Sequence, residues 1–198
     1  GGSKMILENI ADVIAGQIMT RVTEDNNDGE PVQVLAPKAI SNGIIIKEDL
    51  GKAVLSKDVD ENKYTKEGDV VIKLSTPYDA AYVTSKDIGL VIPSFCATIR
   101  ILNDNLIDAK YLSAFLNTSY VRNQLTAKVV GSSRPMIKIS DIRALEIPEV
   151  SIEDMRDIGE AYILSGRKKE ILLEMVQTES MLMENIILAS IKEGMNNE

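Results

Sequence analysis

Four short β-rich runs follow one another between residues 68 and 102: GDVVIKLS (68–75), AAYVTS (80–85), GLVIPS (89–94) and CATIRIL (96–102). They are rich in valine, isoleucine and threonine and are bounded by Gly, Pro, Asp or Ser, which favour turns. An earlier run, GIIIKEDLG (43–51), has the same character. This spacing predicts an α+β protein with a compact, mostly antiparallel β core, to which short helices are added.

The segment that precedes this core mixes helical and extended signals. ILENIADVIAGQI (6–18) suits either a short helix or a strand followed by a turn. Beyond it, IMTRV (18–22) and VQVLA (32–36) alternate as strands do, and residues 27–29 (NDG) supply a turn between them. We therefore predict a solvated hairpin. A calcium loop is not expected, because Leu35 stands where such a loop needs a bidentate Glu.

Helical spacing follows the β core. In DAKYLSAFLNTSYVRNQLTAKVV (108–130) the apolar residues predict one helix, and the first residue, an aspartate, is a good N-cap. The next stretch, GSSRPMIKISDIRALEIPEV (131–150), begins with turn residues. There we expect a short helix capped by Ser140 or Asp141, and then a last short strand at residues 145–147.

A long stretch without proline, residues 151–192, predicts a long C-terminal helix of the coiled-coil type. Ser151 with Asp154 forms a capping pair, and a helix of roughly 40 residues would span about 60 Å. Because a small β core cannot cover such a stripe, we expect a partner helix and self-association. Two core helices broken at Gly166 are the alternative. The stripe residues are Ile152, Met155, Tyr162, Leu172, Val176, Met183 and Ile186.

The charge is distributed unevenly. The 198 residues carry a formal net charge of −8, which opposes binding to a polyanion. Residues 110–143, however, hold six cations and one anion, and this local charge of +5 permits an anion-binding face. A basic stretch that arose by chance is the alternative. The cations are Lys110, Arg122, Lys128, Arg134, Lys138 and Arg143, and the anion is Asp141.

The sequence carries no signature of catalysis. It has no histidine, the usual general base and zinc ligand, and no glycine-rich phosphate or dinucleotide loop. The single cysteine, Cys96, lies in an apolar run and is predicted to be a buried structural thiol. We expect neither an enzyme nor a bound cofactor or metal. An enzyme with an unrecognised carboxylate site is the alternative.

The expected location is the cytoplasm. The sequence has no run of about 18 apolar residues, the length that a membrane-spanning helix needs. The first residues also lack the charged, apolar and small-residue order of a secretion signal.

Polar residues suited to DNA binding concentrate between residues 131 and 138. There a glycine turn and a proline hold hydroxyl and cationic side chains on a fixed backbone. Arginine can bind a guanine edge and lysine a phosphate, so we predict a DNA-facing loop. For each cation taken singly, a surface ion pair is the alternative. The candidates are Ser132, Ser133, Arg134 and Lys138, followed by Gln17, Arg21, Thr76 and Tyr78.

The order of these segments resembles the target-recognition domain and conserved helix of specificity subunits from type I restriction-modification systems. The segments that carry the resemblance are LENIADVIAGQ (7–17), YTKEGDVVIKLS (64–75), YLSAFLNTSYVRNQL (111–125), residues 131–150 and the long helix. The resemblance implies a DNA target-recognition domain at residues 4–150. It also implies a dimerisation and spacer helix at residues 151–198.

The resemblance further implies a non-catalytic subunit that reads one half of a split DNA target. Such a subunit docks the adenine-N6 methyltransferase subunits and, through the complex, the restriction subunit. A homodimer formed through the C-terminal helix would restore the two-domain arrangement of the family; a piece of a longer subunit is the alternative. The competing function is an acidic helical scaffold or DNA mimic, which would show no salt-sensitive affinity for duplex DNA.

Overall fold

A computed structural model of the chain describes residues 3–23, 29–131, 133 and 135–195. The chain divides into two compact units, Gly1–Ile163 and Leu164–Glu198. Among the described residues, the first unit holds antiparallel strands and short helices, and the second is helical. The predicted α+β class, an antiparallel β core followed by a long C-terminal helix, is confirmed.

The main sheet lies in the first unit. The described strands are β1 (Lys4–Ile6), β2 (Ala11–Ala15), β3 (Pro31–Val34), β4 (Ile40–Ser41), β5 (Ile44–Ile45), β6 (Gly51–Val54), β7 (Val70–Lys73), β8 (Ala80–Tyr82), β9 (Cys96–Ile101) and β10 (Glu146–Pro148). The described α-helices are α1 (Ala109–Leu116), α2 (Ser119–Val129), α3 (Ile139–Arg143) and α4 (Ile152–Met195). The main sheet has the antiparallel order β2-β9-β7-β8, and β1-β10, β3-β6 and β4-β5 form two-stranded pairs.

Strand β7 shows why part of the sequence reads as a continuous apolar run. Val70 and Ile72 belong to a core cluster that also contains residues of α1, such as Leu112. Val71 belongs to a second cluster, together with Leu35. Because successive side chains of a strand point to opposite faces, β7 is covered on both sides and its first three positions are apolar.

The predicted hairpin between residues 18 and 36 is wrong. Strand β3 pairs with β6 and not with the IMTRV segment. Met19–Arg21 forms a 3-10 turn, and Thr23 bridges Leu55. Residues 27 and 28 of the predicted tip lie outside the described residues. Local alternation predicted the strand at β3, but its partner comes from later in the chain, which turn residues cannot indicate.

The helix predicted over residues 108–130 is two helices, α1 and α2. Asp108 is confirmed as the N-cap of α1, since its carboxylate accepts a hydrogen bond at 2.8 Å from a first-turn N–H. Thr118 caps α2 in the same way, at 3.4 Å. Between them, the Asn117 amide accepts from the N–H of Ala80 at 2.9 Å and donates to its carbonyl at 2.8 Å. The break between the two helices therefore places the Asn117 side chain against the start of β8.

The stretch after α2 forms α3 and β10. The predicted caps Ser140 and Asp141 lie inside α3, so that prediction is wrong; Lys138 occupies the N-cap position. Asp141 nevertheless stabilises the start of the helix, because its carboxylate accepts from the Lys138 N–H at 2.8 Å. The predicted last strand is confirmed as β10, which pairs with β1.

Helix α4 continues through Gly166, so the alternative of two helices broken there is wrong. The capping pair at its start is confirmed. The N–H of Asp154 donates to the Ser151 hydroxyl at 3.1 Å, and that hydroxyl donates to the Asp154 carboxylate at 2.8 Å. No helix in the described part of the chain combines the length and apolarity that crossing a membrane requires.

The first turns of α4 belong to the first unit. Met155 is fully buried and Ile152 packs against the same core cluster. The Tyr162 ring lies so close to Gly43 that a Cβ there would stand 2.5 Å from it. The predicted placement of Met155 at an interface with a partner helix is wrong, because its own domain buries it. Ile152 and Tyr162 are half-buried, and their placement at such an interface stays a prediction. The first unit accordingly extends to Ile163.

Candidate nucleic-acid interface

A tight turn, Pro93–Cys96, lies beside the end of β2. The turn is closed by a hydrogen bond from the N–H of Cys96 to the carbonyl of Pro93, at 2.9 Å. Gln17 lies alongside: its N–H donates to the Ile92 carbonyl at 2.7 Å, and its carbonyl accepts from the Ser94 N–H at 2.8 Å. The backbone of Gln17 is therefore held against this turn.

The end of β7 lies on the other side of the same turn. The Leu74 N–H donates to the carbonyl of Phe95 at 3.0 Å, and the Leu74 carbonyl accepts from the Ile137 N–H at 2.9 Å. Ser75 forms a bridge with Met136. Segments that are distant in sequence thus meet at one edge. We call this group the loop edge, and it consists of Gln17, Ser75–Pro77, Pro93–Phe95 and Pro135–Lys138.

The loop edge brings together several predicted DNA-contacting residues. Thr76 and Lys138 are exposed and Gln17 is half-buried. Arg21 and Ser133, which lie near Gln17 and Pro135 in sequence, are also exposed. Two further candidates lie outside the described residues: Ser132 and Arg134.

Tyr78 is a correction. Its side chain is only 1% exposed and belongs to the core cluster that contains Leu74. A turn places it there, since the Tyr78 N–H donates to the Ser75 carbonyl at 2.9 Å. The prediction that Tyr78 binds DNA is wrong, because the turn that exposes Thr76 directs the tyrosine inward.

Arg122, a cation of the basic stretch, is engaged inside the chain. Its guanidinium donates to Asp79 at 2.5 Å, to Asn117 at 3.1 Å and to Asn42 at 3.2 Å. Lys73 pairs with the second carboxylate oxygen of Asp79 at 3.1 Å. Asp79 is 8% exposed, so the cluster ties α2 to the ends of β7 and β8 and does not present positive charge to a ligand.

Other cations of the stretch are also engaged. Lys110 pairs with Glu160, and the hydrogen bond between them raises the pKa of the lysine. Arg143 donates to the carbonyl of Val13 at 3.1 Å. Within the described part of the chain, Lys128 and Lys138 are exposed and form no ion pair. The +5 charge therefore overstates what the described part of the stretch offers to DNA. Among the described residues, Lys138 is the cation of this stretch that lies on the loop edge.

A polar cleft of about 630 Å³ lies at the other end of β7 and β9, away from the loop edge. On its wall, Arg100 donates two hydrogen bonds of 2.8 Å to Asp69, and the bond to this carboxylate raises the pKa of Arg100. The Lys110 ammonium stands 5.6 Å from the centre of the Tyr82 ring. The Asp69–Arg100 pair thus joins the start of β7 to β9 and clamps the two strands together.

Cys96 begins strand β9. Its side chain is fully buried, and burial raises the pKa of the thiol to about 12. At neutral pH the thiol is therefore protonated and a poor nucleophile. The predicted structural role of this cysteine is confirmed.

Phe95 is an exposed residue of the loop edge that sequence reasoning missed. Its side chain is 57% exposed although it stands between two buried apolar segments. The signal that could have revealed it is the preceding Pro93-Ser94 pair, which favours a turn at that point.

Comparison with solved structures shows that the fold is similar to that of specificity (S) subunits from type I restriction-modification systems. A crystal structure of the HsdS subunit from Thermoanaerobacter tengcongensis matches with a TM-score of 0.62 and 20% identity, over 92% of this chain and 47% of that chain. A structure concerned with complex assembly and conformational transition of the type I restriction-modification system matches with a TM-score of 0.62 and 21% identity. This match covers 96% of this chain and 49% of that chain. A crystal structure of the type I restriction-modification system S subunit from M. genitalium matches with a TM-score of 0.57 and 15% identity, over 91% of this chain and 43% of that chain.

No protein-family model and no curated protein matches the sequence. At identities of 15–21%, the structural likeness shows the fold. The chain spans about half the length of each S-subunit chain that it matches. It therefore has the fold of about half of such a subunit, with the long helix included.

Proposed function

We propose that this chain is a DNA target-recognition unit of a type I restriction-modification system. It selects the sequence that an adenine-N6 methyltransferase modifies, and it reads one half of a split target. The observation that carries the proposal is the likeness to S subunits over 91–96% of the chain. Methylation and cleavage belong to the partner subunits, so the chain itself has no catalytic role. It acts in the cytoplasm, where its DNA target lies.

The loop edge is the proposed DNA contact. Thr76 and Gln17 carry hydrogen-bonding groups suited to base edges, and the Lys138 ammonium is suited to a phosphate. Backbone hydrogen bonds fix all three segments, and such rigid support favours accurate readout. The neighbouring proposed contacts are Arg21, Ser132, Ser133 and Arg134.

Replacing Lys138 by alanine tests the phosphate contact. The variant should weaken binding to target and random duplexes by the same factor, because a phosphate contact carries no sequence information. The slope of log affinity against log salt should fall by about one unit. Fluorescence anisotropy over a salt series measures both quantities, with the methyltransferase subunit present because the acidic chain alone repels DNA.

Lys86→Ala is the matched control, since it removes the same charge from an exposed position in a different turn, Thr84–Gly89. It should leave the salt slope unchanged. If Lys138→Ala keeps the wild-type slope and affinity, the loop edge is not the phosphate contact. If the wild-type complex shows no salt-sensitive affinity at all, the chain is an acidic scaffold or DNA mimic and the proposed function is wrong.

The second unit is the proposed interface with other subunits. Every large apolar side chain between Leu164 and Met195 is 47–74% exposed. Four of them recur at heptad-like spacing, and we call these the seam: Leu172, Val176, Met183 and Ile186. We propose that a second copy of the chain covers the seam and forms a homodimer.

A second apolar face lies beside the seam and carries Ile171, Met175 and Leu182. A helix that is apolar on more than one face is ordinarily covered by more than one neighbour. We propose that this second face docks the methyltransferase subunit, which in turn brings the restriction subunit into the complex.

A further inference from the structure

Phe95 is the most exposed aromatic residue of the chain. Its side chain is 57% exposed, whereas the other phenylalanine, Phe115, is 9% exposed and stacks on Tyr111. A single exposed apolar side chain needs no explanation by itself. What distinguishes Phe95 is that its backbone is fixed while its ring is open to solvent.

The backbone around Phe95 is bonded on both sides. The Leu74 N–H donates to the Phe95 carbonyl at 3.0 Å, and the preceding N–H, that of Ser94, donates to Gln17 at 2.8 Å. The packing is also close, since a Cβ on Gly16 would stand 2.0 Å from the carbonyl oxygen of Pro93. The ring therefore leaves the protein from a turn that cannot easily shift.

The neighbours of Phe95 are the proposed DNA contacts. Gln17 is bonded to the same turn on one side, and Thr76 follows the Ser75–Met136 bridge on the other. Lys138 lies two residues beyond that bridge. The turn that carries the ring thus lies between the segment of Gln17 and the segments of Thr76 and Lys138.

We propose that Phe95 is a specificity-determining residue that contacts the 5-methyl group of a thymine in the recognised sequence; this rests on the proposed function. A phenyl ring has no hydrogen-bonding group, so it can read only an apolar feature of a base edge. In the major groove the thymine methyl is that feature, and apolar side chains recognise it by contact. The fixed turn limits the contact to one position in the target.

In the first step of the test, the wild-type chain in complex with its methyltransferase subunit selects the duplexes that it binds from a randomised pool. Each thymine of the enriched sequence is then replaced singly by deoxyuracil, which lacks the methyl group. Wild type should lose about three- to tenfold in affinity at one thymine, the effect of one buried methyl contact. Phe95→Ala should show a similar loss on the unmodified duplex and no further loss at that deoxyuracil.

Leu102→Ala is the matched control. Leu102 is 60% exposed and follows the far end of β9, whereas Phe95 precedes its start. This variant should keep the wild-type response to every deoxyuracil. Phe95→Leu keeps an apolar side chain and should retain part of the discrimination, and circular dichroism melting should confirm that all the variants are folded.

The outcomes separate this inference from the proposed function. If folded Phe95→Ala responds to every deoxyuracil as wild type does, Phe95 does not read a thymine, although the chain still recognises DNA. An enriched sequence with no methyl-sensitive thymine overturns the inference in the same way. If Phe95→Ala impairs assembly with the methyltransferase and leaves the enriched sequence unchanged, Phe95 is a protein contact. If wild type enriches no sequence, the proposed function fails and this inference fails with it.

Discussion

Aspartate at both Val176 and Met183 should convert a dimeric chain into a monomer at micromolar concentration. The two side chains are 61% and 52% exposed and lie one heptad apart on the seam. Burial of an apolar side chain of this size contributes about 1.5–3 kcal/mol, and a buried unpaired carboxylate costs more. Since about 1.4 kcal/mol is a factor of ten, association should weaken on the order of a thousandfold or more. Light scattering coupled to size-exclusion chromatography measures the change.

The control places two aspartates seven residues apart on the other side of the same helix, at Thr178 and Asn185. It adds the same charge and should leave the dimer intact. A wild-type chain that is already monomeric would show that the seam does not join two copies. If the control dissociates as readily as the seam variant, the effect comes from charge and the seam has no special role.

Replacing Asp69 by alanine should strongly destabilise the first unit. The Asp69 side chain is 1% exposed and accepts two hydrogen bonds from Arg100 and one from the Lys66 N–H, all at 2.8 Å. Removal of one partner of a buried ion pair costs about 3–5 kcal/mol. We expect the lower value, about 3 kcal/mol, because the Arg100 side chain is 25% exposed and water can partly solvate it. For a chain of this size, the melting temperature should fall by about 6–12 °C.

Glu61→Ala is the control for that experiment. The Glu61 carboxylate also pairs with a cation, Lys66, but its side chain is 87% exposed. An exposed pair contributes little, so the melting curve followed by circular dichroism should remain close to that of wild type. Equal melting curves for Asp69→Ala and wild type would show that the clamp between β7 and β9 contributes no stability.

The sequence predicted those parts of the fold that depend on local chemistry. Asp108 and Ser151 cap helices as expected, because the signal and its effect lie within one turn of each other. The runs that became β7 and β9 were recognisable because buried strands concentrate β-branched residues. The pairing of strands was harder to predict. Strand β3 pairs with β6, and nothing in the residues near β3 indicates that partner.

The candidate site was predicted only in part, for a similar reason. Exposure and pairing depend on contacts between distant segments. Tyr78 and Thr76 are two residues apart, yet one is core and the other is exposed. Arg122 looked available in a basic stretch, but Asp79 binds it from an earlier part of the chain. Phe95 was overlooked because an apolar run predicts burial, whereas the turn that exposes it is set by its hydrogen bonds to other segments.

The most direct test of the account is a map of adenine methylation in cells. A type I methyltransferase subunit from the same genome is expressed alone, with this chain, and with the Lys138→Ala variant, and methylated adenines are located by sequencing. We predict that one split motif is methylated when the wild-type chain is present, that it is methylated less completely with the variant, and that it is absent without the chain. The same motif methylated at the same level without the chain would contradict the claim that this chain selects the DNA sequence.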